Sequence, residues 1–166
     1  MTPPGGERGL TAGEVALVAG MFGAAIDPVP VRIRRRKWFP FQPRTTVMAP
    51  CGHIHFHPCS TLWSDDFSTE AWPLQALFVH EMTHVWQTQA RGRWYLPLAR
   101  HPLCRYRYRI VPGKQFSAYG IEQQAEIVAH AFRARIGCAP DGVDPSALEA
   151  LLPISKPQSV SGASSG

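Results

Sequence analysis

The chain has 166 residues, 45% of them hydrophobic and 17% charged, a composition typical of one globular domain that buries its own core. No stretch approaches the roughly 18 apolar residues of a membrane span, and residues 1–8 lack a signal-peptide pattern. We therefore expect a cytoplasmic protein, unless a specialised route exports it. The expected organisation is a flexible N-terminus (1–9), a single domain (10–154) and a disordered Ser/Gly-rich tail (155–166).

The first part of the chain predicts one helix and several short strands. Thr11 and Glu14 have the spacing of a capping box, and the small apolar residues after them predict a helix that continues to Ile26. Asp27-Pro28 should end this helix. Strands are expected near residues 29–38, 45–49 and 53–57.

Three histidines alternate along the last of these predicted strands. Because successive side chains of a strand point to opposite faces, His53, His55 and His57 should share one face. This face has three interpretations: the polar side of an ordinary edge strand, a wall of a cleft that pairs with an extended substrate, or a second metal site.

A buried helix is predicted from about residue 70 to residue 90. The stretch from Leu74 to Trp86 contains no Lys, Arg or Asp and is apolar on nearly every side, which indicates a central position in the fold. Pro73 is compatible with a helix only in its first turn.

This helix carries the pattern H-E-x-x-H at His80, Glu81 and His84. Histidines four residues apart share a helix face and can bind one Zn²⁺, while Glu81 can accept a proton from zinc-bound water. Histidines with purely structural hydrogen bonds are the alternative, but a buried Glu is rare unless it is paired or near a metal. The pattern therefore predicts metal-assisted hydrolysis.

The last part of the chain predicts a strand and two further helices. Side chains alternate in character from Arg105 to Ile110, which indicates a strand. Apolar spacing predicts a helix that continues from about residue 119 to Ile136 and is closed by Gly137. Asp144-Pro145 has the cap and first-turn proline of a short final helix.

A zinc site needs a third protein ligand. The extended zinc pattern H-E-x-x-H-x-x-G-x-x-H is absent, since Gln87 and Ala90 stand where its Gly and last His would be. Glu122 and Glu126 lie four residues apart on one face of the next helix, so one carboxylate can bind metal while the other accepts the N–H of a ligating histidine. The candidates for the third ligand are Glu122, Glu126, His101, His130 and the earlier histidine cluster.

The two helices together resemble the gluzincin group of zinc metallopeptidases, which pair H-E-x-x-H with E-x-x-x-D/E on a second helix. The resemblance implies that His80, His84 and Glu122 hold the metal and that Glu81 is the general base. It also implies that Glu126, an Asp in many gluzincins, supports a ligand from behind.

Residues 79–87 and 121–126 are also similar to small bacterial zincin-like proteins labelled Vgr-related or Rhs-associated, a resemblance that covers roughly residues 45–136. It implies an α+β, zincin-like fold in which a small sheet packs on the buried helix and on a second, Glu-bearing helix. The implied cofactor is Zn²⁺ and the implied substrate a peptide or protein. A further oxyanion donor is usual in such sites, and the candidates are Tyr119, His55, His130 and Tyr108.

Positive charge, +5 overall, is concentrated at residues 32–37 and at Arg105, Arg107 and Arg109. Such stripes can hold nucleic acid or an anionic surface, although a solvated sheet face is the simpler interpretation. The sequence thus predicts a zinc metallopeptidase, because a purely structural metal site needs no base at Glu81. The alternatives are a catalytically silent zincin-fold module, either binding or secretion-associated, and a basic nucleic-acid-binding domain with a structural metal.

Overall fold

The computed structural model describes residues 1–99 and 106–153, and in this part of the chain the fold is α+β. The final helix follows Asp144-Pro145 as predicted. The elements in chain order are β1 (Glu7–Arg8), α1 (Ala12–Phe22), β2 (Ile33–Arg34), β3 (Ile54–His55), α2 (Trp72–Arg91), α3 (Tyr95–Ala99), α4 (Ile121–Arg135) and α5 (Pro145–Leu151). Short 3-10 turns lie at Gly23–Ala25, Phe67–Thr69 and Phe116–Ala118. No helix within these described ranges combines the length and the apolar character that a bilayer span requires.

The sheet is smaller than the sequence predicts. Its order is β1-β2-β3, with β1 antiparallel to β2 and β2 parallel to β3, and an isolated bridge joins Met48 to His55. The predicted strands 29–38 and 53–57 shrink to two residues each, and 45–49 contributes one bridge. Prolines, which cannot donate to a ladder, lie within the first segment or beside the three of them, at 30, 40, 43, 50 and 58. Glu7 and Arg8, placed by the sequence analysis in a flexible segment, form β1, and Glu7 pairs with Arg34 of β2.

Helix α1 begins with the predicted capping box. The Glu14 backbone N–H donates to Thr11 Oγ1 at 3.1 Å, and the Thr11 N–H donates to the Glu14 carboxylate at 2.8 Å. Glu14 is fully buried, and its carboxylate also accepts hydrogen bonds from both terminal nitrogens of Arg8 at 2.7 and 2.8 Å. The helix ends at Phe22 rather than Ile26, because Gly23 adopts a positive φ of 55° and the chain continues as a 3-10 turn.

Helices α2 and α4 form the centre of the molecule. They run antiparallel, since Gln87 contacts Ile121 whereas His80 lies beside Glu126. Val79, Met82 and Val85 of α2 have no exposed surface, nor has Ala125 of α4. Both helices match their predicted spans, with Pro73 in the first turn of α2 and Gly137 at positive φ just after α4. This packing brings one polar face of each helix to the same side.

The strand expected from Arg105 to Ile110 does not form within the described residues, which begin at 106 here. Residues 106–111, named the strap, have no regular secondary structure and are held by side chains instead of a neighbouring strand. Gln123 donates to the Arg107 carbonyl at 2.7 Å, and the Tyr119 hydroxyl donates to the Arg109 carbonyl at 3.1 Å. The predicted strand is therefore wrong for the described residues, because alternation of side chains does not supply the neighbouring strand that a ladder requires.

Candidate metal centre

Three potential metal ligands converge between α2 and α4. His80 and His84, one turn apart on α2, have ring centroids separated by 5.1 Å. Glu122, in the first turn of α4, places Oε2 at 3.4 Å from His80 Nε2 and 3.2 Å from His84 Nε2. One donor atom from each of the three residues lies within 4.8 Å of the others.

These distances fit a bound ion. Two ligands at about 2.1 Å from a tetrahedral zinc are about 3.4 Å apart, which matches the separations between the histidine nitrogens and Glu122. Two imidazoles and one carboxylate suit a divalent first-row metal. The His84 and Glu122 side chains are only 3% and 1% exposed, whereas that of His80 is 12% exposed, so the group is open on the His80 side alone.

Glu81 lies beside this group and has one buried carboxylate oxygen without a hydrogen bond in the described residues. The residue is 5% exposed, and its buried Oε2 has no hydrogen-bond partner within residues 1–99 and 106–153. A buried carboxylate oxygen without a partner is unfavourable unless water or a cation satisfies it. Its position next to His80 on the helix allows contact with water at the open side without direct ligation.

Gln87 orients His84. Its Oε1 lies 2.9 Å from His84 Nδ1, and its Nε2 donates to the Ile121 carbonyl and to Gln124 Oε1 at 3.1 and 3.0 Å. Because the amide nitrogen is committed to those acceptors, the amide oxygen accepts from Nδ1–H and leaves Nε2 free to face Glu122. The sequence analysis treated Gln87 only as a departure from the extended pattern, although its position one turn after His84 was a usable signal.

Glu126 supports His80 from behind. Its Oε1 lies 3.7 Å from His80 Nδ1, and its Oε2 lies 3.3 Å from His130 Nε2. Desolvation lowers the pKa of His80, but the hydrogen bond with Glu122 and the charges of Glu81 and Glu126 outweigh it, so the pKa is raised. At 3.7 Å this contact is longer than a hydrogen bond, so Glu126 acts on His80 through its charge.

A second layer holds Glu126 in turn. His130 Nδ1 lies 2.7 Å from the Tyr108 hydroxyl. Burial and the negative charge of Glu126 raise the pKa of Tyr108, while desolvation lowers the pKa of His130. Both groups are therefore neutral near pH 7, so the phenol donates to Nδ1 and the opposite ring N–H of His130 points to Glu126. Through Tyr108, His130 and Glu126 the strap is thereby connected to the group formed by His80, His84 and Glu122.

A cavity of about 460 Å³ opens in front of His80 and Glu81. Residues 45–47, Trp72, Tyr106 and His130 are among the residues that line it. The Tyr106 ring lies nearly parallel to that of His80, with centroids 6.4 Å apart. The sequence analysis did not identify residues 45–47 as part of a site, because only the pairing of Met48 with His55 places them there.

The remaining candidates lie elsewhere. His55 is 3% exposed, packs edge-on against Trp38 and does not line the cavity. Ile54, His55 and Phe56 are all buried, so His55 does not lie on a solvent-exposed polar face, and the described residues 53–57 form no metal-binding group. The Tyr119 hydroxyl is hydrogen-bonded to the backbone of the strap, at the Arg109 carbonyl and the Val111 N–H. His101 lies outside the described residues.

No family model matches the chain. The type VI secretion system spike protein VgrG2b of Pseudomonas aeruginosa is 42% identical over 132 residues, which cover 75% of this chain and 13% of that protein. The chain therefore spans a small part of this curated relative. The solved structure of the effector domain of P. aeruginosa VgrG2b matches with a TM-score of 0.70 and 36% identity, over 86% of this chain and 80% of that one.

Proposed function

The chain belongs to the Vgr-related family of the VgrG2b effector domain, and on that basis we propose that it is a secretion-associated effector module with zinc-dependent peptidase activity. Its relative is a type VI secretion system spike protein. We accordingly propose that the chain is made in the cytoplasm and exported by such a route, acting on a peptide or protein outside the producing cell.

The peptidase proposal is supported by the arrangement of two helices. H-E-x-x-H lies on α2 and E-x-x-x-E on the antiparallel α4, with Glu122 beside both histidines and Glu126 behind one of them. This is the arrangement expected of a zincin-like fold of the gluzincin type. A purely structural site would not require the buried, partner-free oxygen of Glu81 beside an open position.

In this proposal His80, His84 and Glu122 would hold Zn²⁺, which when bound would supply a Lewis acid for activating water and polarising a carbonyl. Glu81 accepts the proton of the attacking water and returns it to the leaving amine. Gln87 would keep the His84 imidazole in ligating orientation, and the charge of Glu126 would act on His80.

Residues 45–47 offer a binding edge for an extended peptide. Met48 exchanges both backbone hydrogen bonds with His55, so the backbone groups of the preceding Val47 point away from β3. Val47 also lines the cavity. A peptide paired with this edge would lie in the cavity that Glu81, Tyr106 and His130 also line.

The single observation that carries the proposal is Glu81 beside the His80–His84–Glu122 group, and Glu81→Gln tests it. The variant keeps the side-chain size but removes the base, so hydrolysis of a peptide panel should fall by at least about 10²-fold while zinc per chain stays near one. The exposed acid Asp141, which does not line the cavity, provides the matched control Asp141→Asn and should keep full activity.

Equal turnover and equal zinc in wild type and Glu81→Gln would overturn the mechanism. Absence of turnover by zinc-loaded wild type on a broad panel would overturn the peptidase proposal and favour the silent secretion-associated module.

A further inference from the structure

A loop at residues 36–46, named the aromatic loop, exposes three aromatic side chains. Phe41 is 88% exposed, and Trp38 and Phe39 are 41% and 38% exposed. Single exposed apolar residues are ordinary on protein surfaces, but three within four positions form a patch, which indicates an interaction surface.

The interior holds this loop in one shape. Gln42 is 2% exposed, accepts the Trp38 N–H at 2.7 Å and donates to the Thr46 and His55 carbonyls at 2.9 and 3.1 Å. The Trp38 ring also packs against His55, with centroids 5.2 Å apart. The loop is therefore preorganised, so its binding to a partner would require little further ordering.

The surroundings of the loop are strongly basic. Residues 28–64 contain six Lys or Arg and no Asp or Glu. Arg36 is bound to Glu7 of β1, whereas Lys37 and Arg44 have no ion-pair partner in the part of the chain that the structure describes. Desolvation and then the charges of Lys37 and Arg44 lower the pKa of His57.

We propose that the aromatic loop docks the protein on a lipid bilayer that contains anionic headgroups. Aromatic side chains favour the boundary between headgroups and acyl chains, and nearby Lys and Arg are attracted to anionic lipid. Phe41 projects between Pro40 and Pro43. A projecting tip suits insertion into a lipid surface, whereas single-stranded nucleic acid is bound in a groove that follows its backbone.

Docking would bring the cavity in front of His80 close to the membrane, since Thr45 belongs to the loop and residues 45–47 line that cavity. The inference itself depends on neither the metal nor turnover.

Vesicle co-sedimentation of the full chain tests the proposal. Wild type should bind vesicles of phosphatidylcholine with about one-third phosphatidylglycerol, bind phosphatidylcholine alone weakly, and lose affinity as salt rises. Phe41→Ser should weaken binding about tenfold, and Arg44→Gln about fivefold. Leu98→Ser and Arg109→Gln change exposed residues outside the loop and should leave binding unchanged.

Circular dichroism provides the folding control for each variant. Phe41→Ser should fold normally, because Phe41 is almost fully solvated. Failure of wild type to bind the anionic vesicles overturns the proposal. So does binding that Phe41→Ser and Arg44→Gln leave intact, or that the two control variants weaken equally. Salt-sensitive binding of single-stranded DNA through the loop, without vesicle binding, would assign the surface to nucleic acid instead.

Discussion

Removing the metal should lower the melting temperature of the protein by about 8–16 °C. His84 and Glu122 lie on different helices, 38 positions apart, so an ion that binds both binds only the folded chain. At free zinc about 1,000-fold above the dissociation constant, this linkage contributes about 4 kcal/mol. In a domain of this size each kcal/mol corresponds to about 2–4 °C.

The variant His84→Ala separates metal linkage from ordinary packing. Loss of the imidazole also removes the hydrogen bond with Gln87 and leaves a cavity, so the metal-free variant should itself melt lower than metal-free wild type. The informative quantity is the difference between zinc-loaded and chelator-treated protein, measured by scanning calorimetry for each variant. For His84→Ala this difference should shrink to less than about 2 °C.

His130→Ala is the matched control. It also removes a histidine near the site, but His130 contacts Glu126 and Tyr108 rather than Glu122. It should keep most of the zinc-dependent shift. A shift of equal size in wild type and His84→Ala would refute the assignment and point to a metal held elsewhere.

Two further predictions concern the N-terminal half. Glu14→Ala should destabilise the protein by about 3–5 kcal/mol in urea unfolding, because it leaves Arg8 and the Phe67 N–H without their buried partner; a loss below about 1 kcal/mol would contradict this. Desolvation, then the charge of Arg34, lowers the pKa of His55 to about 4 in the folded protein, whereas the unfolded pKa is about 6.5. The contribution of neutral His55 to folding stability is therefore fully present above pH 6.5 and is lost as pH falls towards 4. Wild type should therefore lose about 1 kcal/mol more unfolding free energy between pH 7 and pH 5 than His55→Gln does, after allowance for solvent screening. Identical losses in the two proteins would contradict this.

The parts of the fold that the sequence predicted well are set by neighbours within a few residues. Thr11 and Glu14 cap α1, Pro73 marks the first turn of α2, and Gly137 follows α4. The spacing of His80 and His84 likewise fixes their common face, since helix geometry alone brings residues four apart together.

The sheet and the surroundings of the candidate metal ligands depend on contacts between distant residues. The parallel pairing of Ile33 with Ile54 has no local signature, so strand lengths were overestimated. The contact of Tyr108 with His130 and the position of residues 45–47 arise only when separate segments dock. Periodicity could not reveal them.

The two imidazoles of the site are supported by groups of different charge. His84 donates to the neutral carboxamide of Gln87, whereas His80 is backed by the carboxylate of Glu126. A carboxylate makes an imidazole a stronger electron donor than an amide does. His80 should consequently donate more electron density than His84, and the amide orients its ligand without adding negative charge that would weaken a bound ion as an electrophile. A substitution at position 87 would thus change the reactivity of this centre while His80, His84 and Glu122 stay the same.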